Sequence, residues 1–148
     1  MKSRSPRLAV RALILADDRL LLVNAYPGGK SDLWCAPGGG VEAGSSLPDN
    51  LAREVEEETG LQIDVGAPVL VNEFHDSKSG FHQVELFFRA EIIAGQIRSD
   101  WADPEGVVTE RRFFSREEMA TIRFKPDGLV QAVWGEGLFY DPLEEIVG

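Results

Sequence analysis

Residues 37–61 of this 148-residue chain read PGGGVEAGSSLPDNLAREVEEETGL. The first part predicts a loop that another chemical group can approach closely, because glycine has no side chain and adopts backbone angles that other residues avoid. The second part predicts one α-helix over Leu47–Thr59. Ser46 followed by Asp49 resembles a capping box at its start, and Gly60 is suited to end it. The glycines of the first part are Gly38, Gly39, Gly40 and Gly44.

Three carboxylates share one side of this predicted helix. Glu54, Glu57 and Glu58 are related as i, i+3 and i+4, which places them on a common stripe. Their mutual repulsion and their place in the C-terminal half of the helix both oppose helix formation. A solvated acidic face is one explanation. The other is a site for a hard divalent cation such as Mg²⁺, which prefers oxygen ligands, and the adjoining glycine segment favours it.

The spacing of these residues resembles the Nudix box. That motif is a glycine, five residues, a glutamate, seven residues and then Arg-Glu-apolar-any-Glu-Glu-any-Gly-apolar. The chain has Gly39 at the start and Arg53–Leu61 at the end, so eight of the nine specified positions match. Ser45 stands where the family has glutamate. It cannot carry charge but can cap backbone amides, and we hypothesise that Glu42 compensates for the missing carboxylate.

The resemblance implies a fold, a reaction and a metal. Nudix proteins are α/β/α sandwiches with a mixed central β-sheet, so the fold class expected here is α/β. The enzymes of the family hydrolyse a nucleoside diphosphate linked to another moiety, and they release a nucleoside monophosphate and the phosphorylated remainder. Mg²⁺, or Mn²⁺ in its place, would be held by Glu54, Glu57, Glu58 and the backbone carbonyl of Gly38.

The catalytic residues that the resemblance implies are less uniform. Glu57 and Glu58 are expected to be the most sensitive pair, and Arg53 is expected to orient a carboxylate through a salt bridge. The catalytic base of the family lies either within the box or on a later loop. Glu105 is the first candidate on a later loop, and weaker candidates are Glu110, Glu85 and Glu73.

Three residues are candidates for substrate binding: Arg11, Gly39 and Glu85. Arg11 interrupts an apolar strand, so it lies either at the rim of the sheet or opposite a phosphate of the ligand. Gly39 belongs to the glycine segment. Glu85 lies in the longest predicted strand, on the face opposite Val84 and Leu86.

The rest of the chain predicts a mixed sheet covered by helices within a single domain of residues 1–148, of which residues 1–6 are expected to be flexible. Apolar runs predict strands over residues 8–16 and 20–23, a strand over residues 61–65, and a hairpin over residues 69–92. Short helices are predicted over residues 115–122 and 129–134. The chain beyond residue 135 gives no clear pattern.

Composition restricts the partners. The formal net charge is −10, which argues against a surface devoted to a nucleic-acid polymer. A small phosphorylated nucleotide fits better, because a metal reverses the charge of a carboxylate cluster. No signal peptide or membrane span is evident, so a cytoplasmic protein without a membrane partner is expected. A homodimer is an expectation by analogy alone.

Two other hypotheses compete with a hydrolase. A non-catalytic Nudix-fold module would bind a nucleotide as a sensor, and Ser45 is the residue that supports it. An acidic interaction domain without a ligand would leave the glycine segment unexplained. The complete set of Glu54, Glu57 and Glu58 favours the enzyme.

Overall fold

The computed structural model describes residues 5–148, so the expectation for residues 1–4 lies outside the described part, while Ser5 and Pro6 are exposed. Nine strands are described: β1 (Arg7–Ala16), β2 (Arg19–Asn24), β3 (Leu33–Cys35), β4 (Gly38–Gly40), β5 (Gln62–Asp76), β6 (Phe81–Ala94), β7 (Arg111–Ser115), β8 (Arg123–Phe124) and β9 (Phe139–Glu145). The helices are α1 (Leu47–Thr59), α2 (Arg116–Met119) and α3 (Leu129–Trp134).

The strands form one curled mixed sheet around β1. The order across the sheet is β8-β3-β2-β1-β6-β5-β9, with β4 paired to β1 and β7 paired to β2. Strand β6 runs parallel to β1 and antiparallel to β5. Strand β1 therefore joins the strand that carries Glu85 to the short glycine strand β4, and this places both beside the candidate site.

Two hydrophobic cores lie on opposite faces of the sheet. Helix α1 packs on one face through Leu51 and Val55 against Val10 and Phe88. Helices α2 and α3 cover the other face, where Phe87 and Phe114 are buried with Leu129. Successive residues of β6 therefore face different cores, as the alternating pattern of residues 84–90 predicts. The α/β fold class is confirmed.

Helix α1 has the predicted bounds. The Ser46 hydroxyl accepts a hydrogen bond from the Asp49 amide, and Gly60 ends the helix in the left-handed conformation, with its amide donating to the Glu56 carbonyl. Pro48 is tolerated because it lies in the first turn, where backbone amides have no intrahelical partner. The helix therefore starts and stops at fixed points on either side of the acidic stripe.

The structure corrects four local predictions. The glycine segment contains strand β4, paired with β1, rather than only a loop. The strand predicted over residues 61–65 and the first strand of the hairpin predicted over residues 69–92 are one continuous strand β5, because register shifts absorb Gly66 and Pro68. Helix α2 ends at Met119, shorter than predicted. The last strand, β9, has no counterpart in the prediction and pairs in parallel with β5.

One arginine links the central sheet to helix α3. The guanidinium of Arg89 on β6 donates hydrogen bonds to the carbonyls of Ala132 at 2.9 Å, Val133 at 3.1 Å and Gly135 at 3.0 Å. The carbonyls at the end of a helix lack intrahelical donors, so this side chain satisfies groups that burial would otherwise leave unpaired.

Replacing Arg89 by alanine should lower the free energy of unfolding by about 2–4 kcal/mol, because several hydrogen bonds to a charged donor are lost. Urea unfolding followed by circular dichroism measures the change. Arg98→Ala is the matched control, since Arg98 forms an exposed pair with Asp100 and exposed ion pairs contribute little to stability. Equal effects of the two substitutions would contradict the structural role of Arg89.

Candidate active site

The acidic stripe of α1 borders a cleft of about 490 Å³. Its walls come from β1, β2, β4, helix α1 and the segment that joins β6 to β7. The cleft brings together Glu54, Glu58 and Glu105 with Gly38, Gly39 and Arg11. Six of the residues that the sequence marks as candidates therefore meet in one place.

Glu58 is anchored to the glycine strand. Its Oε1 accepts a hydrogen bond from the Gly38 amide at 2.8 Å. Burial raises the pKa of this carboxyl to about 7, although Arg11 and the Gly38 amide act in the opposite direction. Burial therefore disfavours the charged form of Glu58, and a nearby cation would offset this cost.

The packing requires glycine at position 38, and at position 39 it brings the Glu54 carboxylate close to the backbone. Gly38 has a φ of +153°, and a Cβ atom there would lie 2.0 Å from the Val10 carbonyl oxygen. A Cβ atom on Gly39 would lie 2.5 Å from Oε2 of Glu54. The missing side chain at Gly38 therefore lets β4 pair closely with β1, and the one at Gly39 leaves room for the Glu54 carboxylate.

Glu54 lies between charges of both signs. Burial is the main cause that raises the pKa of its carboxyl, and the neighbouring Glu57 and Glu105 add to the increase, while Arg53 lowers it. Arg53 Nη2 lies 3.2 Å from Glu54 Oε1. Arg53 is therefore placed to orient Glu54, as the sequence predicts for this arginine.

Glu42, close to Ser45 in the chain, forms a salt bridge with Arg53. Nη1 of Arg53 lies 2.8 Å from Oε2 of Glu42, and the Glu42 amide donates to Oδ1 of Asn50. Ser45 itself contributes its carbonyl, which accepts a hydrogen bond from Nδ2 of Asn50 at 3.1 Å. The observed pair between Glu42 and Arg53 agrees with the hypothesis that Glu42 compensates for the missing glutamate.

Glu57 has a different position from its two partners on the stripe. It does not belong to the residues that line the cleft, although its charge raises the pKa of Glu54. Its backbone carbonyl accepts a hydrogen bond from the indole nitrogen of Trp101. The roles of Glu57 in metal binding and catalysis stay predictions.

Arg11 and Glu85 form a buried pair at the floor of the site. Nε of Arg11 lies 2.8 Å from Oε2 of Glu85, a residue that is 5% exposed. Nη1 of Arg11 also donates to the carbonyls of Ala36 at 3.2 Å and Gly38 at 3.5 Å. Burial alone would lower the pKa of Arg11, but the surrounding acidic groups, Glu85 first among them, together raise it above its usual value, so the guanidinium stays charged.

A second cavity of about 250 Å³ adjoins the cleft. Arg7, Arg11, Ala25 and Cys35 line both spaces. Its walls include aromatic rings from three elements and residues from β9, and Glu85 lies on its floor. The aromatic rings are Tyr26, Phe74 and Phe81, and the contribution from β9 and the chain beyond it is Glu144, Glu145, Ile146 and Val147.

Cys35 does not provide a nucleophile between the two cavities. Burial raises the pKa of its thiol to about 11, and the positive charge of Arg11 only partly opposes this increase. The thiol is therefore protonated near neutral pH, whereas the thiolate is the reactive form.

The sequence does not single out the polar residues that support the cleft. Asn24, Trp101 and Asp103 hold the segment that carries Glu105, and Gln83 donates to Glu85 at 3.0 Å. An asparagine at the end of an apolar strand was the available signal for Asn24. For Trp101, the signal was its place in a long connection without regular structure.

The donor set of the cleft fits a hard divalent cation. It offers carboxylate oxygens from Glu54 and Glu58, with Glu105 and the backbone of Gly38 at its edge. Within residues 5–148 no three His, Cys, Asp or Glu side chains converge tightly enough to surround a metal. Mg²⁺ needs no such closed cage, since it keeps several waters and is usually bound by one or two carboxylates and substrate phosphates.

Comparison with known proteins identifies the family. The model of the NUDIX domain matches residues 5–133. The chain belongs to the NUDIX domain family. It is a Nudix hydrolase, and enzymes of this family generally use divalent metals.

The proteins that are similar in sequence to this Nudix hydrolase have names that describe different activities. It is 25% identical over 126 residues to an ADP-ribose pyrophosphatase of Methanocaldococcus jannaschii, covering 85% of this chain and 72% of that protein. It is 32% identical over 108 residues to diphosphoinositol polyphosphate phosphohydrolase 2 of Rattus norvegicus, covering 72% of this chain and 55% of that protein. The chain thus spans only about half of the rat relative.

Solved structures confirm the Nudix fold. A UDP-X diphosphatase matches 95% of this chain and 70% of its own, with a TM-score of 0.72 and 22% identity. A MutT NUDIX hydrolase from Burkholderia pseudomallei matches 88% of this chain and 97% of its own, again with a TM-score of 0.72 and 22% identity. At this identity the similarity establishes the fold and leaves the substrate open.

The raised pKa of Glu58 predicts how the stability of the metal-free Nudix domain depends on pH. The folded protein binds this proton more tightly than the unfolded chain does. The contribution of Glu58 to stability is therefore most favourable below the ordinary glutamate pKa of 4.5 and becomes unfavourable as pH rises through about 7. Glu58→Gln should raise the free energy of unfolding by about 1–3 kcal/mol near about pH 8, and by much less near about pH 5.

Urea unfolding in EDTA at the two pH values measures this difference. Glu56→Gln is the matched control, because Glu56 is exposed on the same helix and the substitution removes the same formal charge. Equal behaviour of the two variants at both pH values would show that burial of Glu58 has no such effect.

Proposed function

We propose that this Nudix hydrolase cleaves a diphosphate linkage in a nucleoside diphosphate derivative, with Mg²⁺ or Mn²⁺ as the cofactor. Water adds to one phosphorus, the bridging P–O bond breaks, and the products are a nucleoside monophosphate and the phosphorylated remainder. The observation that carries the proposal is the cleft in which Glu54, Glu58 and Glu105 meet the backbone of β4.

The cofactor would be held by Glu54, Glu58 and Glu57, with the carbonyl of Gly38 as a backbone ligand. When bound, Mg²⁺ supplies positive charge that neutralises phosphoryl oxygens. The protein fixes the acidic ligands on a rigid helix, and Arg53 and the Gly38 amide orient two of them. The charge of Arg11, at the floor of the same cleft, adds to the attraction for a diphosphate.

We assign proton transfer to Glu105. It lines the cleft, its charge raises the pKa of Glu54, and its side chain is exposed. A carboxylate in this position can accept the proton of the attacking water and pass it to solvent. Glu110 follows the same connection but is not part of the cleft, and Glu73 is engaged with His82 and Tyr140.

The cavity beside the cleft provides room for the nucleoside. Planar bases stack on aromatic rings, and Phe74 and Phe81 present such rings with centroids 6.1 Å apart. Arg11, which pairs with Glu85, lines both spaces, so a substrate that extends from one to the other would pass over it. A role for Arg11, Gly39 and Glu85 in substrate binding is part of this proposal.

The names of two similar proteins agree with a substrate of this class, since one is an ADP-ribose pyrophosphatase and the other a UDP-X diphosphatase. Within residues 5–148 no helix combines the length and apolar character that a bilayer crossing needs. The cytoplasmic location and the homodimer expected from the sequence stay predictions.

A turnover screen tests the proposed reaction. Wild type and Glu57→Gln are incubated with Mg²⁺ and a panel of nucleoside triphosphates, ADP-ribose, nucleotide sugars and dinucleoside polyphosphates, and the products are separated by ion exchange. Wild type should release a nucleoside monophosphate from at least one compound. Glu57→Gln should be slower by about a hundredfold or more, since loss of a ligand removes charge stabilisation of the transition state.

Glu56→Gln is the control for the screen and should keep wild-type turnover. Release of a nucleoside monophosphate by none of the compounds, from folded protein with Mg²⁺ or Mn²⁺ present, would overturn the proposed function.

The aromatic cavity gives a separate prediction about affinity. Phe74→Leu keeps an apolar side chain but removes the flat face, so KM for the nucleotide substrate should rise about 5–30-fold while kcat changes little. The matched comparison is 5-phosphoribosyl diphosphate, which has a diphosphate and no base. A similar rise of KM for both compounds, or no rise for the nucleotide, would show that Phe74 does not contact the base.

A further inference from the structure

The connection between β6 and β7 carries Glu105, and it lacks regular structure over residues 95–110. An exposed acid on such a segment would ordinarily sample many positions, since loops have few buried contacts. Hydrogen bonds instead hold the second half of this connection in place. They are made by side chains that have no part in the proposed reaction.

Trp101 and Arg111 attach the two ends of the segment to helix α1. The indole Nε1 of Trp101 donates to the Glu57 carbonyl at 2.8 Å, and its ring packs on Gly60, where a Cβ atom would lie 2.9 Å away. Nε of Arg111 donates to the Glu58 carbonyl, and Nη2 donates to Val108 at 3.2 Å. The carbonyls of Glu57 and Glu58 lie in the last turn of helix α1, where intrahelical donors are missing.

Asp103 closes the turn in which Glu105 lies. Its Oδ1 accepts a hydrogen bond from the Glu105 amide at 3.1 Å. Its Oδ2 accepts hydrogen bonds from the amides of Val107 at 3.1 Å and Val108 at 2.9 Å. The Gly106 amide donates to the Asp103 carbonyl at 2.9 Å, and Gly106 has a φ of +71°. One carboxylate thus determines the path of the backbone on both sides of Glu105.

Asn24, at the end of β2, fastens the returning part of the segment to the sheet. It is 7% exposed. Its Nδ2 donates to the Val107 carbonyl at 2.8 Å, and its Oδ1 accepts the amides of Thr109 at 2.9 Å and Glu110 at 3.0 Å. A second hydrogen bond from Nδ2 to the Tyr26 carbonyl uses the remaining donor, so the amide is fully engaged and cannot turn without breaking the attachment.

We propose that Trp101, Asp103 and Asn24 are positioning residues that hold the segment carrying Glu105 at the cleft that Glu54 and Glu58 also line. The inference rests on the proposed function, because it assigns to these residues the placement of the proton acceptor. Trp101 fixes Glu105 relative to the helix that carries the acidic ligands, and Asn24 fixes it relative to the sheet. A misplacement of about 1 Å is enough to slow an enzymatic step up to a hundredfold.

A double-mutant cycle tests whether Trp101 acts through Glu105. Trp101→Phe removes the indole N–H and keeps a ring over Gly60, so kcat should fall about 3–10-fold with KM unchanged. Glu105→Gln should lower kcat about a hundredfold. In the Glu105→Gln background, Trp101→Phe should lower kcat by less than about twofold further, because the group that it positions is no longer functional.

Trp134→Phe is the matched control. Its indole donates to Asp18 at 3.0 Å, away from the cleft, and kcat should not change. Two results would overturn the inference. One is an equal fall in kcat from Trp101→Phe in both backgrounds, which would place its effect in helix α1 itself. The other is no fall in either background.

Hydrogen exchange provides a readout that needs neither metal nor substrate. Asp103→Ala removes the acceptor for Val107 and Val108, so peptides covering residues 103–110 should exchange at least about tenfold faster, while peptides from α1 keep their protection. Asp103→Asn retains one acceptor oxygen and should restore part of the protection and part of kcat. Unchanged exchange in Asp103→Ala would overturn the positioning role.

The two proposals fail in different ways. A wild-type protein without turnover would overturn the proposed function, and hydrogen exchange would still decide whether the segment is held. Turnover by wild type with an unaffected Glu105→Gln would leave the reaction in place and overturn the positioning inference.

Discussion

The structure depends on the contact between the Gly38 amide and the carboxylate of Glu58, at 2.8 Å. This hydrogen bond joins a strand that has no side chains to a helix whose outer face is acidic. Strand β4 in turn pairs with β1 so closely that a Cβ atom on Gly38 would overlap the Val10 carbonyl. The same pairing brings Arg11 under the cleft, where it balances part of the negative charge.

Burial of carboxylates in an acidic protein opposes folding, and the surrounding structure explains how the chain tolerates it. Helix α1 is held on its apolar side by Leu51 and Val55, which are both fully buried. Its ends are fixed by Ser46 and Gly60. The position of Glu54 and Glu58 is therefore set by hydrophobic packing behind them, and the unfavourable charge remains available to interact with a cation and a phosphorylated ligand.

Sequence reasoning recovered the parts of the fold that local pattern controls. The bounds of α1 follow from Ser46 and Gly60, and the two faces of β6 follow from strict alternation. It also brought Glu54, Glu58 and Glu105 into one site, although Glu105 depended on resemblance rather than on pattern. What it did not recover depends on contacts between distant segments. Strand β9 is polar at several positions and becomes a strand only because the edge of β5 is free to pair with it.

The same reason explains the missed supporting residues. Asn24 gains its role from backbone groups more than eighty positions later in the chain, and no local pattern encodes such a partner. For Glu57 the local pattern is informative but incomplete. The helical spacing correctly groups it with Glu54 and Glu58, but the spacing does not reveal that the cleft opens towards only two of the three.

Strand β9 contributes to the wall of the aromatic cavity and to no wall of the acidic cleft. The residues that line the acidic cleft lie between Arg7 and Val108, whereas Glu144, Glu145, Ile146 and Val147 contribute a wall of the aromatic cavity. Mutations in this distal stretch can therefore accumulate without disturbing the ligands of helix α1. Such a division lets one scaffold acquire new substrates during evolution while its reaction is retained, and it marks β9 as the segment to randomise when altered selectivity is sought.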